Sequence, residues 1–302
     1  MTTNWIKKYK TYLKLEKSLS ENTVSSYMGD LTKLLDYIGD EKDITLVEPT
    51  DLDNFLSQLR DIGIHARSQA RILSGIKSFY NFLSIVNAID SDPTENIDSP
   101  RLGMHLPEVL SLEEIDSIIS GIDLSANEGH RNKAMLETLY SCGLRVSELV
   151  DLKLSHCYFN DEYIMVEGKG SKQRLVPVSQ RAIHEISIWM EDRRKLDVKK
   201  GSEDFVFLNR YGRNLTRSMI FRIVKLQAGL AGIKKNISPH TFRHSFATHL
   251  LEGGANLRVI QQMLGHESIQ TTEIYAHMDK TYLREQIMSF HPRNSQSNKY
   301  LN

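Results

Sequence analysis

Over the first ninety positions the apolar residues recur every three or four places and rarely alternate, the period of helices with one side against a core. Trp5, Tyr9, Tyr12 and Leu13 make the first such stripe, with Lys7, Lys8, Lys10 and Lys14 largely around it. Ser20 has the character of an N-cap for a second helix through Tyr27, Leu31, Leu34, Leu35 and Ile38. Pro49 and Thr50 restart the pattern through Leu52, Phe55 and Leu59. A fourth stretch, from about Ala66 to Val86, places Ile72, Leu73, Ile76, Phe79, Tyr80 and Leu83 at helical spacing. Four amphipathic helices with short connections predict a small bundle over residues 1–88.

The period then stops. Residues 89–106, with Pro93 and Pro100 inside and Pro107 just after, are small, polar and proline-bearing, the composition of an extended linker. A second domain is expected over 107–293. It opens on Ser111-Leu-Glu-Glu114, a capping box ahead of Ile115, Ile118 and Ile119. A helix over 131–142 follows. Tyr163–Glu167 alternates, Gly168 to Lys172 reads as a turn, and Arg174–Val178 returns, so the segment is expected to be a hairpin. Phe205–Leu208 is a candidate for one more short strand. Beyond it the chain reads as helical to about Phe290, with breaks at 232–238, 253–255 and 265–268. The expected fold class is mainly α: a four-helix N-terminal domain, then a mostly helical domain carrying a small antiparallel sheet.

The composition, 302 residues with 40% hydrophobic and 25% charged content, is that of a globular chain of about two domains. No run of about 18 apolar residues predicts a membrane span, and the N-terminus lacks a signal-peptide core. Two cysteines, Cys142 and Cys157, form neither a disulfide framework nor a zinc pattern, which points to a reducing, cytoplasmic setting. Acidic and basic residues balance at 38 each, yet they are segregated. Residues 36–53 carry seven acids against Lys42 alone, and residues 169–225 carry fourteen bases against six acids. Local sign sets association, so neutrality does not exclude a nucleic-acid partner. Arg60, Arg67, Arg71 and Lys77 form a basic face near the fourth helix, either an ordinary solvated surface or a phosphate contact.

Four short segments carry candidate chemistry. In His240-Thr-Phe-Arg243-His244, which follows Pro239 at an expected helix start, the three polar residues share one helical side. Buried structural pairing, metal ligation and phosphate binding are all open for it, His249 lying nearby. Zinc fits poorly, because no HExxH is present and an arginine repels a cation. Arg145, in Gly143-Leu-Arg145-Val-Ser-Glu148, stands near a helix start suited to an anion, though Glu148 can also pair with it locally. Lys169 sits between two glycines at the hairpin tip, where a loop can approach another molecule closely. Leu264-Gly265-His266 is followed nine residues later by Tyr275, in Ile274-Tyr275-Ala-His277. A tyrosine nucleophile needs help from cations or a base, because its pKa lies near 10.

In this order, Arg145, Lys169, His240, Arg243, His266 and Tyr275 resemble the motif set of the tyrosine (integrase-family) recombinases. The resemblance extends to Ser20–Ile38, to Ala66–Leu83 and to the terminal His291-Pro292-Arg293, and within the family it is strongest to the Xer type. It implies an N-terminal SAM-like core-binding domain and a catalytic domain that cuts and rejoins DNA without metal, ATP or other cofactor. Tyr275 would form a 3′-phosphotyrosyl link. Arg145, Arg243 and His266 would bind the phosphorane, Lys169 would protonate the 5′-oxygen, and His240 would assist Tyr275. Arg60, Arg67, Arg71, Lys77, Lys172 and Arg174 are the expected DNA contacts, on two domains that would encircle a duplex. The resemblance also implies a cyclic tetramer on a double-stranded recombination site, in which the helix carrying Tyr282, Leu283, Ile287, Met288 and Phe290 docks on a neighbouring subunit. The implied partners are a second Xer-type recombinase and a septal DNA translocase, with chromosome-dimer resolution as the role. A phage- or transposon-type integrase, a type IB topoisomerase and a non-catalytic DNA binder are the alternatives. The lack of an added arm-binding domain favours the Xer type over phage integrases.

Overall fold

The computed structural model describes residues 2–39, 42–100, 108–168, 173–265 and 280–295. Lys169, Lys172, His266 and Tyr275 lie outside the described residues. The chain divides into two compact units, residues 1–105 and 106–302.

The first unit holds α1 (Thr2–Leu15), α2 (Glu21–Ile38), α3 (Pro49–Asp61) and α4 (Ala66–Ile85). The stripes seen in the sequence meet in one core. Tyr9, Tyr12, Phe79 and Phe82 form an aromatic cluster, with Tyr9 edge-on to Phe79 at 5.1 Å between centroids. Ser20 caps α2 by accepting from the Thr23 N–H. One charge lies inside this core. Asp30 is fully buried where α2 meets α4, and the Arg71 guanidinium grips both its oxygens at 2.6 Å. Gly75 leaves the space this requires, since a Cβ there would stand 2.9 Å from Asp30 Oδ2.

The stretch expected to be an extended linker begins differently. Asp92 closes an Asx turn onto the N–H and hydroxyl of Thr94, Ile97 buries itself in the bundle core, and Lys77 Nζ donates to the Ile97 carbonyl at 2.8 Å. One apolar residue and one buried carbonyl with a cation to satisfy it fold these residues back onto the helices. Composition registers the prolines but not such partners.

The second unit contains α5 (Leu112–Ser120), α6 (Gly129–Ser141), α7 (Val146–Val150), β1 (Cys157–Tyr158), β2 (Tyr163–Glu167), β3 (Gln173–Pro177), α8 (Gln180–Arg193), α9 (Arg217–Leu230), α10 (Pro239–Gly253), α11 (Leu257–Leu264), α12 (Lys280–Phe290) and a final turn, Pro292–Ser295. The capping box at Ser111 forms as expected, Ser111 Oγ accepting from the Glu114 N–H and Glu114 Oε2 from the Ser111 N–H. The hairpin also forms: β2 and β3 are antiparallel, with Tyr163 opposite Pro177 and Glu167 opposite Gln173. The short strand β1 on the other side of β2 was not expected, and two residues are too few for a visible alternation. Phe205–Leu208, expected as a strand, makes only isolated bridges at Phe205 and Leu208. Its apolar run is a buried crossing, with Val206, Phe207 and Leu208 all in the core.

Helix α6 runs through the middle of this unit, and α10 packs across it. Their contact depends on Gly143, just past the end of α6. Its φ is +58°, and a Cβ would stand 2.3 Å from Phe246 Cδ1. Gly143→Ala therefore combines left-handed strain with a clash in a filled core, a destabilisation of ~2–4 kcal/mol. Gly229→Ala in α9, where a Cβ meets nothing within 4 Å, is the control and is expected to change stability by less than ~1 kcal/mol. Urea unfolding of the two variants measures the difference.

Among the described residues no helix is long and apolar enough to cross a membrane, and no group of three His, Cys, Asp or Glu side chains is placed to hold a metal ion.

Candidate active site

The site is assembled around one buried carboxylate, Glu148. Arg145 is the N-cap of the short helix α7, so its backbone N–H points at the first turn and meets Glu148 Oε2 at 2.8 Å. The Arg145 side chain curls the same way, Nη1 donating to Glu148 Oε1 at 2.8 Å and Nη2 to the Gly265 carbonyl at 2.8 Å. Arg174 arrives from β3 and grips both oxygens of the same carboxylate, at 2.7 and 2.9 Å, while its Nε donates to the Met263 carbonyl. Arg243 comes from α10. Its Nη1 donates to the Gly143 carbonyl at 2.7 Å and stands 3.7 Å from Glu148 Oε2, and its Nη2 donates to the Leu264 carbonyl. Three guanidinium groups thus converge on one carboxylate and on the end of α11, leaving an excess of two positive charges.

Burial would push the Glu148 carboxyl up, but the hydrogen bonds and charge of Arg174, and after them the bonds from Arg145, hold it below the usual carboxylate range. It is the anion that fixes the cluster. Burial first, then the charge of Arg145, pulls Arg243 down to about 10, with Glu148 opposing. That is still far above neutrality, so Arg243 stays charged. A cluster of this sign, partly open at Arg145 and fixed by carbonyls behind, fits an anion that takes bidentate hydrogen bonds, such as a phosphodiester.

Of the two readings the sequence leaves open for Arg145, the local pairing with Glu148 is formed. Glu148 takes one face of the guanidinium and the backbone N–H; the helix-start N–H groups expected to hold the anion are not free at Arg145 itself. His240 and His244 lie exposed on one side of α10, whereas Arg243, expected beside them, turns into the core. His249 is buried, its Nδ1 2.8 Å from the Tyr140 hydroxyl, so it packs apart from the other two.

The expected DNA contacts divide. Arg60 and Arg67 are exposed, on either side of the turn between α3 and α4. Arg71 is committed to Asp30, Lys77 to the Ile97 carbonyl and Arg174 to Glu148 and Met263. In each case the cation satisfies a buried acceptor, and Arg71 does so while its side chain stays about half exposed. Glu148 is the functional residue the sequence undervalued. Its link to Arg145 is local and visible, but its link to Arg174 spans 26 residues and needs the hairpin to be folded.

The helix expected to dock on a neighbour is partly occupied within its own subunit. Leu283 and Ile287 of α12 are buried in the core of the second unit, and Arg284 pairs with Glu162. Tyr282 and Met288 remain exposed.

Two family models match the chain: "Phage integrase family" over residues 108–281 and "Phage integrase, N-terminal SAM-like domain" over residues 6–85. Among curated proteins, the chain is 44% identical over 288 residues to tyrosine recombinase XerD of Chlorobaculum tepidum, covering 93% of this chain and 94% of that one. It is 43% identical to XerD of Oceanobacillus iheyensis, covering 93% and 96%. Among solved structures, a XerH site-specific recombinase bound to palindromic difH substrate in a post-cleavage complex superposes with a TM-score of 0.71 at 24% identity, covering 94% of this chain and 84% of that one.

Proposed function

The chain belongs to the phage integrase family, the tyrosine recombinases, and within that family we propose that it resolves chromosome dimers by recombining a specific double-stranded DNA site. It is an Xer-type enzyme that breaks and rejoins DNA through a tyrosine nucleophile. The observation that carries the residue assignment is the convergence of Arg145 and Arg243 on the Leu264–Gly265 carbonyls, one residue before His266 and ten before Tyr275 in the chain.

In the proposed reaction the Tyr275 oxygen attacks the scissile phosphorus, its proton passing to His240. Arg145 and Arg243 hold the two non-bridging oxygens as charge builds on the phosphorane, and His266 donates a further hydrogen bond. The bond to the 5′-oxygen breaks as Lys169 delivers a proton to it, leaving a 3′-phosphotyrosyl link and a free 5′-hydroxyl. The ester is kept, so a 5′-hydroxyl from a partner strand reverses the step and no nucleotide cofactor is consumed. Glu148 and Arg174 hold the clamp in shape. Arg60, Arg67 and Lys172 are proposed to contact DNA phosphates, in a tetramer on the site that pairs this chain with a second Xer-type recombinase and answers to a septal DNA translocase in the cytoplasm.

If Lys169 is the general acid, Lys169→Ala slows attachment to an oxygen-bridged strand by at least ~10²-fold. A substrate with sulfur at the bridging 5′ position, a leaving group that needs no proton, is expected to restore the rate to within tenfold of wild type. No restoration would remove Lys169 from that role. The biological role is tested by sequencing DNA trapped as SDS-stable adducts from nicked fragments of the source genome. Enrichment of one chromosomal site supports the proposal. Enrichment of the ends of a mobile element would favour an integrase, and relaxation of a plasmid lacking any trapped sequence would favour a topoisomerase.

A further inference from the structure

Arg71 of α4 is tied down at one edge of its guanidinium while its side chain keeps 47% of its surface open. Nη1 and Nη2 each donate to a different oxygen of the buried Asp30, both at 2.6 Å, so the carboxylate occupies the edge between them. Nη1 also donates to the Ser26 hydroxyl at 2.7 Å. A guanidinium carries five N–H donors. Three are used in this way, and among the described residues the remaining two, on Nε and on the outer side of Nη2, meet no acceptor. Those two lie side by side and parallel, the fork that grips a pair of neighbouring acceptors.

The surroundings decide what that pair of acceptors is. Along α2 the exposed residues around Ser26 are Asn22, Ser25 and Gly29, and along α4 Ser68 and Ser74 lie exposed on either side of Arg71. All are small and uncharged, so a flat edge can come close to the fork. Asp30 lies 3.4 Å from Lys33 as well, but its closer, bidentate partner is Arg71, whose charge it offsets. A phosphate is held largely by charge, and Arg60 and Arg67 enter no ion pair among the described residues. An aligned fork with its charge offset suits uncharged acceptors instead. Guanine presents two of them, O6 and N7, together on its major-groove edge, whereas adenine sets a donor beside N7 and the pyrimidines offer no such pair.

Holding the fork has a structural cost. A carboxylate enclosed between two helices is expensive to desolvate, and Gly75 has to lack a Cβ to admit it, since one would stand 2.9 Å from Asp30 Oδ2. In return the guanidinium needs no ordering when DNA arrives, because Asp30 and Ser26 already fix its plane. We propose that Arg71 reads one guanine of the recombination site, and that Asp30 and Ser26 are its positioning residues. This rests on the reading above that the chain binds a specific double-stranded site, and it adds a base-reading residue to the phosphate contacts assigned there.

The test uses the full chain and a library of random-sequence duplexes. Wild type is compared with Arg71→Ala, Asp30→Asn, Arg67→Ala and the double variant Asp30→Asn/Arg71→Gln, which leaves no charge buried alone if Arg71→Ala fails to fold. Sequencing the bound fraction gives the base preference at each position, and titrations of one selected duplex at several salt concentrations give the salt slope. Wild type should prefer guanine by about tenfold or more at the position Arg71 reads. Arg71→Ala, or the double variant in its place, should bring that preference to within about twofold of the other bases and keep the preferences elsewhere. Asp30→Asn should weaken the same preference by about threefold or more, although Arg71 keeps its charge. Arg67→Ala should lower affinity evenly across sequences and flatten the salt slope. An unchanged preference at every position in a folded Arg71 variant would overturn the proposal, and full guanine preference in Asp30→Asn would overturn the positioning role. Loss at a position where another base is preferred would also overturn it, as would an even loss of affinity with a flatter salt slope, which would make Arg71 a phosphate contact. A wild type without any sequence preference would instead overturn the site-specific reading beneath it.

Discussion

Tyr275→Phe is expected to bind duplex DNA with wild-type affinity and to form no covalent adduct, a fall of more than ~10⁴-fold in attachment rate. The substitution removes one oxygen and keeps the ring, so whatever packing the side chain supplies is retained. The oxygen, however, is the only atom that can form the link. Without it neither the arginine clamp nor the general acid has an attacking group to act with, because the reaction needs roughly 20 kcal/mol of barrier lowering that stabilisation of the phosphorane cannot supply without a bond being made. Denaturing gels of quenched reactions, run beside electrophoretic shifts with the same labelled DNA, separate chemistry from binding. Reduced binding by Tyr275→Phe would indicate that the tyrosine serves the fold or the DNA interface.

Arg243→Ala is expected to lower the single-turnover attachment rate by about 10²–10³-fold, the scale found when one donor to a developing oxyanion is removed. It should also destabilise the second unit, because the Gly143 and Leu264 carbonyls that Arg243 satisfies are left without their donor, at ~1–3 kcal/mol for each buried acceptor. Arg243→Lys should recover little of the rate. An ammonium is a point charge and cannot reach two carbonyls on opposite sides while presenting a planar fork to phosphate. Arg145→Lys should be equally poor, since Arg145 divides its donors between Glu148 and the Gly265 carbonyl. Arg60→Ala, at an exposed position outside the cluster, is expected to weaken binding and flatten its dependence on salt concentration.

Much of the architecture can be read before any coordinates, where the information is local. Ser20 and Ser111 announce their helices through side chains that reach back three residues, and the β2–β3 hairpin shows in alternation on both sides of a glycine-bearing turn. The helical stripes identify which sides are buried, and Tyr9, Phe79 and Leu83 are indeed core. What a stripe does not contain is the identity of the partner. Arg71 and Asp30 are 41 residues apart, and Arg174 and Glu148 are 26 apart. On the sequence each arginine is simply a cation near a basic patch, and only the fold shows that each serves a buried acceptor. The same limit applies to residues 89–98, whose composition is that of a linker but whose Ile97 has a core to enter. It applies as well to α12, where Leu283 and Ile287 fill space in their own subunit. Apolar excess marks a surface for burial and leaves open which surface covers it.

The most direct measurement is the identity of the protein–DNA bond itself. Wild-type protein is incubated with nicked genomic DNA and quenched in SDS, the adduct is digested with nuclease and trypsin, and the nucleotidyl peptide is fragmented in a mass spectrometer. Arginine and lysine at positions 258 and 280 bracket a peptide, Val259–Lys280, whose only tyrosine is Tyr275. The expected result is a nucleotide joined through its 3′-phosphate to Tyr275 in that peptide. A nucleotide on any other residue, or one joined through its 5′-phosphate, would contradict the assignment.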